Sequence, residues 1–374
     1  MRYITPYVLE DLRKKMVFVG GPRQVGKTTL AKAILSKAFP DGRYLNWDFD
    51  EDRQDILNKR WSTDNRLLVF DELHKLPRWK AWIKGIYDVS HDLHSFLITG
   101  SARLDVYRRG GDSLMGRYHY WRLHPFTLDE IPKGISPEEA FHRLMTVGGF
   151  PEPFLDGDER SARRWRRERL DRVIREDIRD LESIRNIQLL SVFLDLLRQR
   201  VGGLITLSNM ASDLQISPKT AKSWLEVLER MYLVFSVRPY TRSLPRAVLK
   251  SPKVYFFDNC DVLEDEGIRF ENLIATSLLK RLHFLEDRDG YRYDLRYIRD
   301  KEGHEVDFAI VKEGELEELV EAKYSDENIS KSLIYYTQRL KPKRATQIVA
   351  KIKRPYDKDR VKVVDPISYF RNFF

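Results

Sequence analysis

The sequence predicts an α/β protein that opens with a doubly wound parallel sheet, continues through helices and closes with a second, smaller α/β domain. Three observations carry this reading. Residues 15–35 run from a short apolar strand through a glycine-rich loop into a segment of helical spacing. A second apolar run, Leu67-Leu68-Val69-Phe70, ends in Asp71-Glu72. The last third of the chain follows the order helix, three strands, helix, strand. At 374 residues, 42% hydrophobic and 33% charged, the chain is long enough for several domains and too apolar to be disordered. A net charge of +9 favours anionic partners. The single cysteine, Cys260, excludes an internal disulfide and fits a reducing compartment. No stretch approaches the ~18 uncharged apolar residues of a membrane span. Residues 1–6 lack the apolar core of a signal peptide, so a cytoplasmic protein without membrane contact is expected.

The loop Gly21–Thr29 reads GPRQVGKTT, with Gly-x4-Gly-Lys-Thr at Gly21, Gly26, Lys27 and Thr28. Between a strand and a helix this is a P-loop. Its glycines let backbone N–H groups turn inward around phosphate oxygens, and the helix start adds positive dipole. Gln24, Val25 and Thr29 complete the run expected against the nucleotide. Lys27 reaches the β- and γ-phosphates of ATP, and the Thr28 hydroxyl holds Mg2+. Tyr44–Asp48 reads as a second strand, and residues 66–70 form a buried strand that delivers Asp71 to the metal. Glu72 beside it is placed to polarise the attacking water as general base. Ser95–Ser101 is the next strand, with Thr99 and Ser101 as candidates to touch the γ-phosphate or its water. Arg117, closing Asp112–Arg117, is a candidate to stabilise the transferring phosphoryl group in cis or from a neighbouring copy, which makes self-association an open possibility.

Together GPRQVGKTT, LLVFDELHKLPRWKAWIKGIYD, ITGSAR and SLMGR resemble the AAA-type ATPases of prokaryotes over residues 15 to about 130. The resemblance implies an ATP-binding core, Thr99 or Ser101 as sensor and Arg117 as arginine finger.

Val147–Pro153 is a Gly/Pro boundary and reads as a domain junction. Its Gly-Phe-Pro resembles the Gly-x-Pro turn of signal-transducing ATPases. Residues 159–185 alternate arginine with acids around Trp165, Leu170, Val173, Ile174 and Ile178, which predicts an amphipathic helix with a salt-bridged face. Arg163, Arg164, Arg166 and Arg167 are candidates for phosphate-backbone contact. Residues 205–234 then read helix, short turn, longer helix, with Ser208 expected to cap the first and Pro218 early in the second. With strands expected at Val234–Val237 and Val254–Phe257, this is a winged helix-turn-helix, and Lys219, Thr220, Lys222 and Arg230 are its exposed candidates for DNA phosphates.

After Gly267 comes a helix, Ile268–Phe284, then strands at Tyr291–Arg299, His304–Val311 and Leu316–Tyr324, a helix to Leu340 and a strand at Thr346–Ala350. Adjacent strands can bring Asp307 and Glu321 to one face, and Lys323, two residues on from Glu321, points the same way. Two carboxylates with the Ala322 carbonyl suit Mg2+ or Mn2+, and Glu271 on the helix can complete the set. Lys323 is the only lysine of the chain with an acid two positions before it. With its element order, this region resembles the restriction-endonuclease-like PD-(D/E)xK nucleases, matching at Asp307, Glu321, Lys323 and Glu271. The proline before the aspartate is absent.

The expected architecture is an AAA-type P-loop ATPase domain (1–146), a helical lid (147–200), a winged helix (201–258) and a nuclease-like α/β domain (259–374). The expected activity is ATP hydrolysis coupled to DNA binding and metal-dependent phosphodiester cleavage, with branched DNA as a candidate substrate. A nucleotide-dependent switch carrying an inactive nuclease fold is the alternative.

Overall fold

The computed structural model describes residues 2–100, 114–178, 186–241, 251–263, 265–325, 328–371 and 373–374, with residues 176–178 described by their backbone alone. The chain divides into two units, Met1–Pro125 and Phe126–Phe374. The junctions expected at 146/147, 200/201 and 258/259 all fall inside the second.

Uninterrupted apolar runs build the sheet of the first unit. After helix α1 (Thr5–Asp11) come β1 (Met16–Gly20), α2 (Lys27–Ala38), β2 (Arg43–Asn46), α3 (Asp50–Asn58), β3 (Leu67–Asp71), α4 (Trp79–Ser90), β4 (Ser95–Thr99) and β5 (Tyr118–Arg122). Every residue of β1 and β3 is buried, as parallel strands covered on both faces require. The order is β2-β3-β4-β1-β5, with every neighbouring pair parallel. Phe18, Phe70, Phe96, Trp79 and Ile83 pack in one core cluster. Because the strands run the same way, the glycine loop, Asp71 and Thr99 emerge at one edge of the sheet, and Asp71 pairs in register with Thr99. β4 is inserted between the loop strand and the Asp-Glu strand, so Thr99 reaches both sides.

The second unit begins with helices α5 (Pro137–Thr146), α6 (Pro151–Asp156) and α7 (Glu159–Arg172), the last running into a π-helical turn at Val173–Ile178, and then α8 (Ile187–Arg198). Ser136 caps α5 by accepting the Glu139 N–H, and Asp158 caps α7 through Ser161. Arg163, Arg164 and Arg167 are exposed, while Arg166 donates to the Cys260 carbonyl and Arg169 is buried over the Phe150 ring. The Gly-Phe-Pro turn joins α5 to α6.

Helices α9 (Leu207–Asp213) and α10 (Pro218–Arg230) follow, then β6 (Val234–Pro239) and β7 (Lys253–Phe256) as an antiparallel pair. The first of these helices starts two residues earlier than a Ser208 cap implies. Thr206 precedes it without a side-chain bond, and Ser208 lies inside the helix instead of capping it. Ser217 caps α10, accepting from Thr220. Helix α11 (Glu266–Asp289) begins at the Asp265 cap and ends at Gly290, whose φ of 75° suits glycine. Then come β8 (Tyr293–Arg299), β9 (Glu305–Lys312), β10 (Glu315–Lys323), α12 (Lys331–Leu340), β11 (Arg344–Val349), β12 (Tyr356–Lys358), β13 (Val361–Val364) and α13 (Pro366–Phe370). The strands form one sheet in the order β12-β13-β11-β10-β9-β8-β6-β7. The pair β6–β7 is therefore continuous with the later strands: β6 lies parallel to β8 through Arg238–Arg296 and Pro239–Tyr297, and β7 is the edge.

Candidate functional site

In the first unit the glycine loop is shaped by backbone needs. Gly21 has φ 141°, and a Cβ there would lie 2.3 Å from the Leu123 carbonyl oxygen, so only glycine fits. Gln24 at φ 63° and Gly26 at φ 97° turn the chain twice through the left-handed region, and α2 starts at Lys27. Val25 is buried, so it can offer a ligand only its backbone. Its carbonyl accepts from Arg2 at 2.8 Å, and the same guanidinium reaches the His124 carbonyl at 2.5 Å. Lys27 is buried, and its ammonium donates to the carbonyls of Gly21 at 3.1 Å and Pro22 at 2.6 Å. Thr28 and Thr29 are exposed at the helix start.

Three hydroxyls converge on Asp71. Thr28 donates to Oδ2 at 2.6 Å, Tyr44 donates to the same oxygen at 2.6 Å, and Thr99, fully buried, donates to Oδ1 at 2.5 Å. Thr99 thus acts on the acid instead of facing an open pocket. Ser101, the other sensor candidate, lies outside the described residues. Glu72 sits at φ 56°, a left-handed conformation that costs on the order of 1 kcal/mol in a non-glycine residue and is characteristic of functional sites. Burial pushes its carboxyl up, against the pull of Lys27 and Lys75. His74 and Lys75 approach it at 3.5 and 3.7 Å. A raised pKa moves a carboxylate toward the range useful for general base work. The Thr28 hydroxyl and the Asp71 carboxylate are hard oxygen donors side by side, so they fit Mg2+, which would neutralise phosphate charge when bound with nucleotide.

Arg117 does not join this group. It immediately precedes β5, whose first residue pairs with Met16 at the start of β1. The glycine loop leaves the far end of β1, roughly 20 Å away at about 3.3 Å per residue. Arg117 instead pairs with Asp88 of α4 at 2.6 Å. An arginine at the wrong end of a parallel strand cannot reach phosphates bound by its own unit.

In the second unit, β9, β10 and α11 bring four carboxylates together. The Ala322 N–H donates to Asp307 Oδ2 at 3.0 Å, so the Ala322 backbone serves the aspartate as donor. Lys323 lies 2.9 Å from Glu321 Oε1. Glu271 accepts from the Tyr255 hydroxyl at 2.7 Å. A further cation stands among them. Lys253 Nζ is 2.6 Å from Glu305, 3.4 Å from Glu271 and 3.6 Å from Asp307, and its side chain is 2% exposed. Burial alone would lower the lysine pKa, yet Glu271, Asp307 and Glu305 push it up. Burial and the Asp307 charge raise Glu271 to about 7 and Glu321 to about 8, more than the lysines beside them lower either. The expected trio of Asp307, Glu321 and Lys323 therefore meets, with Glu271 close by. Two of the expected ligands, Glu271 and Asp307, already have the Lys253 ammonium against them, and Glu321 has that of Lys323, so the expected divalent ion does not fit while these side chains stand as they do. Among the described residues no group of three or more acidic, histidine or cysteine side chains is disposed to hold a metal.

Comparison with known proteins divides the chain in three. Residues 13–132 match the family model of an AAA domain. The first unit carries an AAA-type ATPase domain. Residues 138–260 and 266–370 match two domains of unknown function, DUF8612 and DUF4143. An uncharacterized Mycobacterium tuberculosis protein is 25% identical over 277 residues, covering 74% of this chain and 58% of its own length. An uncharacterized Methanocaldococcus jannaschii protein is 25% identical over 301 residues, covering 71% of this chain and 67% of its own length. The chain thus spans under two thirds of the mycobacterial relative. Among solved structures, the Thermotoga maritima RuvB Holliday junction branch migration motor aligns at 19% identity, covering 62% of this chain and 88% of its own, with a TM-score of 0.33, too low to carry an argument.

In the AAA domain the sequence points to the loop, Asp71, Glu72 and Thr99, which the structure places at one edge of the sheet. It missed Arg2 and Tyr44, whose partners Val25 and Asp71 lie 23 and 27 residues away, and no local pattern marks either. In the second unit it missed Lys253, Tyr255 and Glu305. Among the described residues no helix is long and apolar enough to cross a membrane.

Proposed function

We propose that this chain is an ATP-dependent DNA-processing enzyme: the AAA domain hydrolyses MgATP, and the second unit binds DNA and carries a nuclease-type centre. The observation that carries the ATPase reading is the triple hydroxyl grip on Asp71. It orients the acid without neutralising it, leaving its charge for Mg2+ beside a strained, half-buried Glu72. Lys27 then meets the β- and γ-phosphates, Glu72 takes the proton of the attacking water, and Thr99 keeps Asp71 in register with both.

DNA is the proposed partner because the chain is basic and because α9 and α10, two helices joined by a short turn, suit a helix-turn-helix. Lys219 and Lys222 are exposed on the second helix, while Trp224, Leu225 and Leu228 face the core. Such lysines contact phosphates and give affinity that falls steeply with salt. Asp307, Glu321 and Lys323 support metal-dependent phosphodiester cleavage as the second activity, with Mg2+ or Mn2+ admitted only once Lys253 leaves the carboxylates. One observation favours a second reading, a nucleotide-dependent switch with an inactive nuclease fold: Lys253 already sits among the carboxylates.

The test is ATP hydrolysis together with cleavage of single-stranded, duplex, forked and four-way-junction DNA, for wild type, Lys27→Ala and Lys323→Ala. The proposal expects Lys27→Ala to lose hydrolysis by about 100-fold or more, as when a transition-state donor is removed. It expects Lys323→Ala to lose cleavage while keeping hydrolysis. ATP hydrolysis without cleavage of any substrate selects the switch.

A further inference from the structure

The centre of the second unit contains the carboxylates Glu271, Glu305, Asp307 and Glu321 and the ammoniums Lys253 and Lys323. Lys323 lies on β10 beside its own acid and is 38% exposed. Lys253 differs. It comes from β7, the edge strand at the end of the sheet, and reaches three acids on two other elements. Several features fix it there. Val237 on β6 pairs with it in register, and a bridge to Leu204 holds its other side. Tyr255, two residues on and so on the same face, donates to Glu271. Gly202, at φ 71°, passes so close that a Cβ there would meet the Glu271 carboxylate at 3.0 Å. The chain from 201 to 205 thus closes over the helix acid, and glycine permits it.

A lysine 2% exposed has lost its hydration, and three acids within 4 Å restore what burial removes. A divalent ion bridging Glu271 and Asp307 must lie about 2.0–2.6 Å from an oxygen of each. Nζ, at 3.4 and 3.6 Å from those same groups, fills the space where that ion and its hydration would stand. Two cations cannot share it.

We propose that Lys253 is the built-in cation of this centre: it takes the divalent ion's place among Glu271, Glu305 and Asp307, and the chain in this conformation loads no metal there. Under the cleavage reading, the Lys253 side chain must first leave these acids. Under the switch reading the lysine stays. Either way the inference is independent of ATP hydrolysis, because it concerns metal bound without nucleotide or DNA.

The experiment counts Mn2+ bound to the full chain by electron paramagnetic resonance, with no nucleotide present. Wild type, Asp307→Asn, Lys253→Met and Lys253→Met/Asp307→Asn are compared. The expected result is the same count for wild type and Asp307→Asn, one additional Mn2+ in Lys253→Met, and loss of that ion in the double variant. Mn2+ should also raise the thermal midpoint of Lys253→Met and leave that of wild type unchanged. Wild type holding a Mn2+ that Asp307→Asn removes overturns the proposal, and that arm needs no lysine variant. A folded Lys253→Met without extra Mn2+ also overturns it. Should Lys253→Met fold only with Mn2+ added, that dependence is itself the expected gain. Lys253→Met/Glu305→Gln, which keeps the net charge, repeats the count in a milder background.

Discussion

Both units hold carboxylates at their candidate sites, and they treat them in opposite ways. In the AAA domain, Asp71 is held by the hydroxyls of Thr28, Tyr44 and Thr99. In the second unit, Glu271, Glu305, Asp307 and Glu321 are met by the ammoniums of Lys253 and Lys323. A hydroxyl orients a carboxylate and leaves its charge in place, so a metal ion is still attracted. An ammonium orients it and cancels the charge. The first arrangement is prepared for a cation that arrives with a substrate, and the second already contains its cation. Acid count alone does not distinguish them; the identity of the groups around the acids does.

The largest effect that can break this comparison is on stability. Lys253→Met leaves three half-buried acids without their main counterion, and the loss should approach the about 3–5 kcal/mol that removing one partner from a fully buried charge group costs, lessened by the acids' contact with solvent. Chemical denaturation in chelator should show that loss, and a change within experimental scatter would mean the acids are solvated and the contrast is false. A smaller effect is expected in the first unit. Thr99→Val deletes one hydrogen bond to a buried carboxylate, worth roughly 1.5–3 kcal/mol. Its sharper readout is hydrolysis: kcat should fall while nucleotide binding is retained, because the hydroxyl acts by positioning Asp71.

The smallest effect is a pH slope. Glu271 and Glu321 are raised from 4.5 to about 7 and about 8 by burial and by Asp307. A carboxyl with a raised folded pKa binds more protons folded than unfolded, so its contribution to stability falls as pH rises from 4.5 through the folded value. Asp129 and Asp258, raised by burial to about 6, add slope only in the lower part of that window. Stability of wild type should therefore decline from about pH 5 to 8, and Glu321→Gln should flatten the curve most between 6 and 8. An unchanged curve would place Glu321 in solvent.

Much of this was legible in the sequence because it is local. The glycine loop with its strand and helix, the apolar run before Asp71-Glu72, and the order of elements after Gly267 each lie within a short window, and every one of these elements is present. The Ser208 cap failed because Thr206 precedes the helix, a shift within the usual uncertainty of helix ends. What stayed hidden is non-local. Arg117 resembled a finger by its place after the β4 segment, but strand direction puts it at the far end of the sheet, a fact of topology. Lys253 lies in no acidic motif. It enters the carboxylate centre only because β6 and β7, expected as a separate wing, are hydrogen-bonded into the same sheet as β8 and β9.

The central claim is that the first unit hydrolyses ATP through an oriented Asp71 and a half-buried Glu72. Its most direct test is a parallel measurement of ATP binding and steady-state hydrolysis in wild type and Glu72→Gln. The account predicts binding within a few-fold of wild type and hydrolysis reduced by about 100- to 10,000-fold, the range of a lost general base. Hydrolysis by Glu72→Gln at the wild-type rate would contradict it.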